Sequence, residues 1–266
     1  LRPHYVSVTF GAGGSTRDGT YQTVRHIGET TDLKVVPHLS CLGVSGEELR
    51  ALLEQYRALG VRRIVALRGD LPRSGEAVGD GPFKYANELV AFIHEVGGFT
   101  VSVGCYPEFH PESPDAETDI RHFVAKVRAG ASEAITQYFY NNDAYSAFVD
   151  SVRRHRVDIP IIAGLMPITD YRQIQRFSGF CGAEIPAWIH KRMESMASDP
   201  ASQRAFGIEL ASRQAEDLLR RGAPGIHVYT LNKAEATLRI WKNLGLDRAA
   251  VKDSTARNGE SVQEAH

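Results

Sequence analysis

The stretch Ser45-Gly46-Glu47-Glu48-Leu49-Arg50-Ala51-Leu52-Leu53-Glu54-Gln55-Tyr56-Arg57-Ala58-Leu59-Gly60, followed directly by Val61-Arg62-Arg63-Ile64-Val65-Ala66-Leu67, holds a complete helix and a strand in one uninterrupted run. Ser45 with Glu48 three positions on is a capping-box pattern. Leu49, Leu52, Leu53, Tyr56 and Leu59 share one helical face, and Gly60 stands where a left-handed C-terminal cap belongs. The apolar run 63–67 is too short for a helix and contains β-branched residues, so it reads as a buried strand.

The same alternation extends in both directions. Strand-like runs recur at 5–10, 34–38, 100–105, 134–139, 161–165 and 225–230. Helical faces lie between them: Ala86, Leu89, Val90 and Ile93 before Gly97-Gly98; Ile120, Phe123, Val124 and Val127 before Gly130; and Tyr145, Phe148, Val149 and Val152. Asp199-Pro200 is a cap and first-turn pair for a long helix ending near Arg221. Strands separated by helices pair in parallel through right-handed crossovers, which leaves a doubly wound sheet or a (β/α)8 barrel. A dinucleotide fold calls for GxGxxG after its first strand, and Gly11-Ala12-Gly13-Gly14-Ser15 has the wrong spacing. Polar residues stand instead at the carboxyl ends of nearly all the strands: Thr9, His38, Arg68 with Asp70, Tyr106, Gln137 and Tyr229. Sites built from many strand ends favour the α/β (β/α)8 TIM barrel. Seven strands do not close such a barrel, so strands 2–8 are taken as visible over residues 1–249. The first strand and its helix are expected before Leu1, and 250–266 is expected to be a polar flexible tail.

Composition excludes other classes. Lys plus Arg number 31 against 32 for Asp plus Glu, so there is no basic footprint for nucleic acid or membrane. No apolar run reaches membrane-spanning length and no signal segment is seen, so a cytoplasmic location is expected. Cys41, Cys105 and Cys181 lack CxxC spacing and read as buried thiols, with no metal site expected.

Three segments could carry chemistry. Arg68-Gly69-Asp70 leaves the strand 63–67 as a charged pair joined by glycine, either a ligand contact or a solvated turn, and the glycine- and proline-rich loop 71–83 after it reads as a mobile flap or ligand cover. Tyr106-Pro107-Glu108-Phe109-His110-Pro111 presents a ring and an imidazole on a chain stiffened by two prolines. A lone loop histidine is ordinarily just exposed, but this framing points to a ligand contact. Gln137, read as lying within a barrel strand, is either a structural amide or a donor–acceptor pair for the edge of a pterin, flavin or nicotinamide. Phe177 and Tyr229 offer flat surfaces for such rings, although single aromatics more often belong to a core. No zinc signature, nucleophile elbow or phosphate-binding loop is present, so the chemistry points to an organic cofactor.

These residues resemble the flavin-dependent methylenetetrahydrofolate reductases in their single-domain bacterial form. The matching segments are Val6-Ser7-Val8-Thr9-Phe10-Gly11-Ala12, Pro37-His38-Leu39-Ser40-Cys41, and Ile64-Val65-Ala66-Leu67-Arg68-Gly69-Asp70-Leu71-Pro72. They continue with Tyr106-Pro107-Glu108-Phe109-His110-Pro111, Ala134-Ile135-Thr136-Gln137-Tyr138-Phe139, Ile185-Pro186-Ala187-Trp188, and Tyr229-Thr230-Leu231-Asn232-Lys233-Ala234-Glu235.

The resemblance implies FAD at the mouth of the barrel. It also implies ping-pong reduction of 5,10-methylenetetrahydrofolate to 5-methyltetrahydrofolate, NADH or NADPH being the co-substrate. Carried over by position, Thr9, His38, Arg68, Gly69 and Asp70 line the flavin, and Tyr85, Ala86, Tyr106 and His110 extend the contact. Asp119, His122 and Lys126 complete it, with Lys126 offsetting pyrophosphate charge. Gln137, Gln173, Phe177 and Tyr229 hold whichever ring faces the flavin, and Lys233 serves the folate carboxylates where an Arg is common. Asp70 and Gln137 are the implied catalytic side chains, Asp70 disfavouring negative charge on the reduced ring. The family's general-acid glutamate belongs to the strand expected before Leu1. The resemblance further implies small-molecule partners, a homo-oligomer and a place in one-carbon metabolism and methionine biosynthesis. Two rival readings are a truncated barrel acting as a binding subunit and a flavin barrel of proline dehydrogenase type.

Overall fold

The computed structural model describes residues 2–10, 17–70 and 81–246. The expected tail at 250–266, the stretch 71–80 of the expected ligand cover and the Gly11-Ala12 end of the first motif lie outside these residues. In chain order the elements are β1 (Val6–Val8), α1 (Arg17–Thr30), β2 (Val35–Ser40), α2 (Gly46–Ala58), β3 (Arg63–Leu67), α3 (Ala86–Val96), β4 (Thr100–Cys105) and α4 (Ala116–Arg128). Then come β5 (Glu133–Thr136), α5 (Asn142–Arg154), β6 (Ile161–Leu165), α6 (Tyr171–Cys181), α7 (Ala187–Glu194), α8 (Pro200–Arg220), β7 (Ile226–Val228) and α9 (Ala234–Asn243). Each strand pairs in parallel with the next in sequence. This is the α/β, TIM-barrel-like order that the alternation predicts. None of the described helices is long and apolar enough to cross a membrane.

The chain forms two compact units. The first comprises Arg2–Gln137 and Ser146–Ile162. In it the registers His38↔Val65, Val65↔Ser102 and Ser102↔Glu133 set one row of side chains across four strands. Val36, Val65 and Ile135 form an apolar cluster with Tyr5, Leu67 and Ile162 packed against it. At the amino ends of the strands a polar knot forms. Glu133 accepts from Arg63 Nη1 at 2.6 Å, Ser102 Oγ at 2.9 Å and Tyr5 Oη at 3.3 Å, and the Arg63 guanidinium lies over the Tyr5 ring. Burial, then the Glu133 charge, suppresses ionisation of the Tyr5 hydroxyl.

On α2, the Ser45–Glu48 capping box forms as the sequence predicts, and Leu49, Leu53 and Tyr56 are fully buried. Gly60 takes the left-handed backbone expected of it, φ +80°. Leu89, Val90 and Ile93 of α3 are likewise enclosed, α3 packing on β3 and β4. Full burial of each such aliphatic chain is worth about 1.5–3 kcal/mol.

The second unit comprises Tyr138–Tyr145 and the described residues from Ala163 onward. There the end of β6 pairs with β7 (Ala163↔Ile226, Leu165↔Val228). Asp199 caps α8 through the Ser202 N–H at 3.1 Å, with Pro200 in the first turn, as expected. Helices α6 and α7 were not anticipated, although Asp170 and Gly182 at the two ends of α6 are ordinary start and stop signals. Helix α8 approaches the chain beyond β6 so closely that a Cβ on Gly207 would lie 1.9 Å from the Ile168 carbonyl oxygen.

Three expectations need correction. The strand expected over 134–139 stops at Thr136. The Gln137 N–H makes the last ladder-like bond to the carbonyl of Cys105, where β4 ends, at 2.7 Å. Gln137 therefore sits just past the strand, not inside it. Beyond it Gln214 Nε2 takes the Phe139 carbonyl at 2.7 Å. Conversely β2 runs on to Ser40, because Ser40 finds Leu67 as its partner, so His38 is two residues inside the strand end. Finally, Cys41 and Cys105 are buried but Cys181, the last residue of α6, is only half-buried.

Candidate active site

In the first unit the polar residues beyond β3 and β4 are held by specific bonds. The Arg68 carbonyl accepts from Ser40 Oγ at 2.7 Å and from the Leu42 N–H at 3.1 Å, so the loop after β2 fixes the loop after β3. Gly69 has φ +96°, and a Cβ there would lie 2.1 Å from Ser40 Oγ. Only glycine takes both the backbone and the space. The Arg68 side chain turns back on its own loop, Nε donating to the Gly69 carbonyl at 3.1 Å. Its Nη1 and Nη2 form a two-pronged pair with Glu112, at 2.6 and 2.7 Å. The Arg68 bonds hold the Glu112 carboxyl below its usual range.

Beyond β4, Tyr106 meets His110 edge-on with ring centres 4.6 Å apart. His110 Nδ1 accepts the Glu112 N–H at 3.0 Å. Burial lowers the imidazole pKa, with Glu112 opposing and Arg68 reinforcing the shift. One step along the loop, Ser113 Oγ donates to Asp119 Oδ1 at 3.1 Å. Asp119 lies on the inward face of α4 with Phe123 and Val124, which is why a carboxylate there is buried. Lys126, two turns on along that helix, donates through Nζ to the Gly104 carbonyl at 2.6 Å. Burial lowers the Lys126 pKa, while the neighbouring Cys105 and Asp119 oppose the shift. Burial pushes the Cys105 thiol up to about 12 and the Cys41 thiol to about 11, so both are held protonated.

The structure thus gathers Arg68, Tyr106, His110, Asp119 and Lys126 of the expected flavin residues. Thr9 and Asp70 are exposed at the ends of their strands, the Thr9 carbonyl accepting from Thr20 Oγ1. Tyr85 caps the start of α3 with Ala86 as its first residue, and Tyr85 is 59% exposed. His122 faces solvent, away from the inward face of α4. Gln137 is half-buried past β5.

In the second unit Gln173 and Phe177 lie four apart on α6, sharing one face and half-buried. Phe177 packs on the cluster of Tyr138, Tyr140, Met166 and Ile174, as does Tyr229. Tyr229 stands edge-on to Tyr138 and to His227. Lys233, exposed at the start of α9, lines a cleft of about 640 Å³ together with Arg172 and Arg204.

Glu112 is the residue that sequence reasoning missed. The available signal was a lone carboxylate between Pro111 and Pro114, two positions from His110, in a loop already marked for chemistry.

Parallel strands in chain order, with a polar cluster and an aromatic pair beyond the carboxyl ends of β3 and β4, define a protein of the TIM-barrel-like α/β class. Comparison with known proteins narrows this: the family model for methylenetetrahydrofolate reductase matches residues 1–245, and the chain belongs to that family. It is 38% identical over 246 residues to the 5,10-methylenetetrahydrofolate reductase of Pectobacterium carotovorum, covering 92% of this chain and 81% of that protein. Identity to the Escherichia coli protein of the same name is 38% over 247 residues, covering 92% and 82%. A protein named methylenetetrahydrofolate reductase (NADH) 1 from Arabidopsis thaliana is 33% identical, covering 92% of this chain and 43% of its own length. Among solved structures, an uncharacterized Clostridium thermocellum protein that binds two copies of 5-methyl-5,6,7,8-tetrahydrofolic acid has a TM-score of 0.56. It is 15% identical, covering 93% of this chain and 97% of that one, a likeness of fold alone.

Proposed function

We propose that this protein is a cytoplasmic enzyme reducing 5,10-methylenetetrahydrofolate to 5-methyltetrahydrofolate with FAD as cofactor and NADH or NADPH as electron donor, the two substrates using the site in turn. The carrying observation is the donor set beyond β3 and β4. A guanidinium and an imidazole (Arg68 and His110) meet at Glu112 in the loops beyond β3 and β4, with Tyr106 as a flat neighbour, and the Lys126 ammonium on α4 bonds the Gly104 carbonyl near the end of β4. That chemistry fits a dinucleotide carrying a diphosphate and rings. Bound there, FAD supplies hydride acceptance and donation.

The side chains do the rest. Arg68 and Lys126 offset phosphate charge, His110 donates a hydrogen bond, and Asp119 with Ser113 anchors the loop that carries His110. Asp70 places a carboxylate beside the reacting ring and accepts from the amino edge of the pterin. Gln137 offers donor and acceptor side by side to a pterin or nicotinamide. In the second unit Gln173 and Phe177 present an amide and a ring from one helix face, and Lys233 an ammonium suited to the folate carboxylates.

The test is spectroscopic. Purified protein is expected to be yellow, to bleach with NADH or NADPH without air, and to regain its colour on adding 5,10-methylenetetrahydrofolate. Protein that stays colourless and takes up no FAD refutes the reading in favour of a binding subunit. Yellow protein indifferent to folates refutes it in favour of a flavin barrel with another substrate.

A further inference from the structure

We propose that Glu112 is a positioning residue for the flavin site: its carboxylate fixes the plane of the Arg68 guanidinium, and its backbone N–H holds His110 in the tautomer that carries its proton on Nε2. This rests on the flavin-dependent reading above. Arginine has five N–H groups in a rigid fork. Nε is spent on the Gly69 carbonyl, and one N–H of each Nη on Glu112, at 3.1, 2.6 and 2.7 Å. Two have no partner among the described residues, and because a two-pronged carboxylate pair sets the plane of the fork, their direction is set too. A lysine or a lone arginine would swing about its stem.

His110 is fixed by the same residue through a different atom. A ring nitrogen that accepts an N–H carries no proton, so Nδ1, which accepts the Glu112 N–H at 3.0 Å, leaves the proton of the neutral ring on Nε2. Burial favours that neutral ring. The edge-on Tyr106 contact fixes the ring plane, and Pro111 and Pro114 stiffen the chain on either side of Glu112. One loop residue therefore aligns a cation from beyond β3 with a neutral donor from beyond β4. Both are suited to an anionic phosphate oxygen.

The full chain, freed of flavin, is titrated with FAD by quenching of flavin fluorescence, as wild type and as Glu112→Gln, Glu112→Asp and Arg68→Lys. Glu112→Gln is expected to bind FAD about tenfold more weakly, the scale of one lost charge-assisted bond, while its flavin-free urea midpoint at neutral pH moves little. Glu112→Asp, which keeps the charge but shortens the reach, falls between. Adding Glu112→Gln to Arg68→Lys weakens binding little further. Nitrogen-15 spectra of the flavin-free protein show His110 protonated on Nε2, in the wild type and in Glu112→Gln alike, because the backbone donor survives.

Equal FAD affinity in Glu112→Gln and wild type overturns the positioning role. So does a His110 protonated on Nδ1 in the wild type, or a loss of affinity that only tracks a loss of unfolding free energy. A wild type that binds no FAD overturns the flavin reading itself and this inference with it.

Discussion

Alanine at Gly207 is expected to destabilise the protein, although alanine in place of a helical glycine ordinarily helps. Gly207 lies inside α8 with no positive φ, so replacing it removes no special backbone, and the propensity gain alone is about 1 kcal/mol. The added Cβ, however, would sit 1.9 Å from the Ile168 carbonyl oxygen and 2.7 Å from its carbon. Both are backbone atoms that no side-chain rotation moves aside. Helix and loop must part by about 1.5 Å to reach ordinary contact, in a packed interior where overfilling costs about 1–3 kcal/mol and occasionally more. Taking the upper end of that range, about 3 kcal/mol, against the propensity gain, Gly207→Ala loses about 2 kcal/mol. Gly179, in α6 with nothing within 4 Å of its added Cβ, is the matched control, and Gly179→Ala gains about 0.5–1 kcal/mol. Urea unfolding reads both, with midpoints moving in opposite directions at unchanged slope. A Gly207→Ala midpoint at or above wild type refutes the close approach and the reasoning built on it.

Three further outcomes are expected. Glu133→Gln loses about 2–4 kcal/mol in urea unfolding, because it leaves Arg63 unpaired at the amino ends of the strands, where Glu133 is well buried and Tyr5 and Ser102 also donate to it; a loss under half a kilocalorie contradicts the knot. Asp70→Asn slows folate reduction more than it slows flavin reduction by NADH or NADPH, and equal slowing of both half-reactions in stopped flow removes that assignment. Arg68 holds the Glu112 carboxyl below its ordinary value, so the pair stabilises fully above the ordinary glutamate pKa of about 4.3 and is lost as pH falls through the lowered folded value. Being half-exposed, the pair is worth under about 1 kcal/mol. The difference between wild type and Glu112→Gln in urea is therefore expected to shrink from pH 6 to pH 3, and a difference that grows on acidification contradicts the pairing.

Much of the candidate site was legible because polar residues at the ends of apolar runs mark themselves. Arg68, Tyr106 and His110 were picked out in that way. Asp119 and Lys126 were not: they sit on a helix that reads as an ordinary amphipathic face, and only the resemblance singled them out. The structure shows why periodicity passes over them. Asp119 shares the inward face with Phe123 and Val124, satisfied by Ser113, and Lys126 reaches a strand carbonyl. His122, marked by the same resemblance, is turned to solvent.

What the sequence determined by itself is the set of features whose causes lie within a few residues: the capping box at Ser45 and Glu48, the Asp199-Pro200 start of α8, the left-handed Gly60 and the parallel alternation of strand and helix. The tertiary structure alone decided where the strands stop and what their loops touch. β2 continues to Ser40 because Leu67 lies opposite, and β5 halts at Thr136 because β4 has already ended at Cys105. The pairing of Arg68 with Glu112, and the approach of Gly207 to Ile168, join positions distant in the chain. Caps and helical faces are set by bonds and contacts within a turn or two of chain, whereas ladder ends and loop-to-loop pairs depend on the register of strands that nothing in the local sequence records.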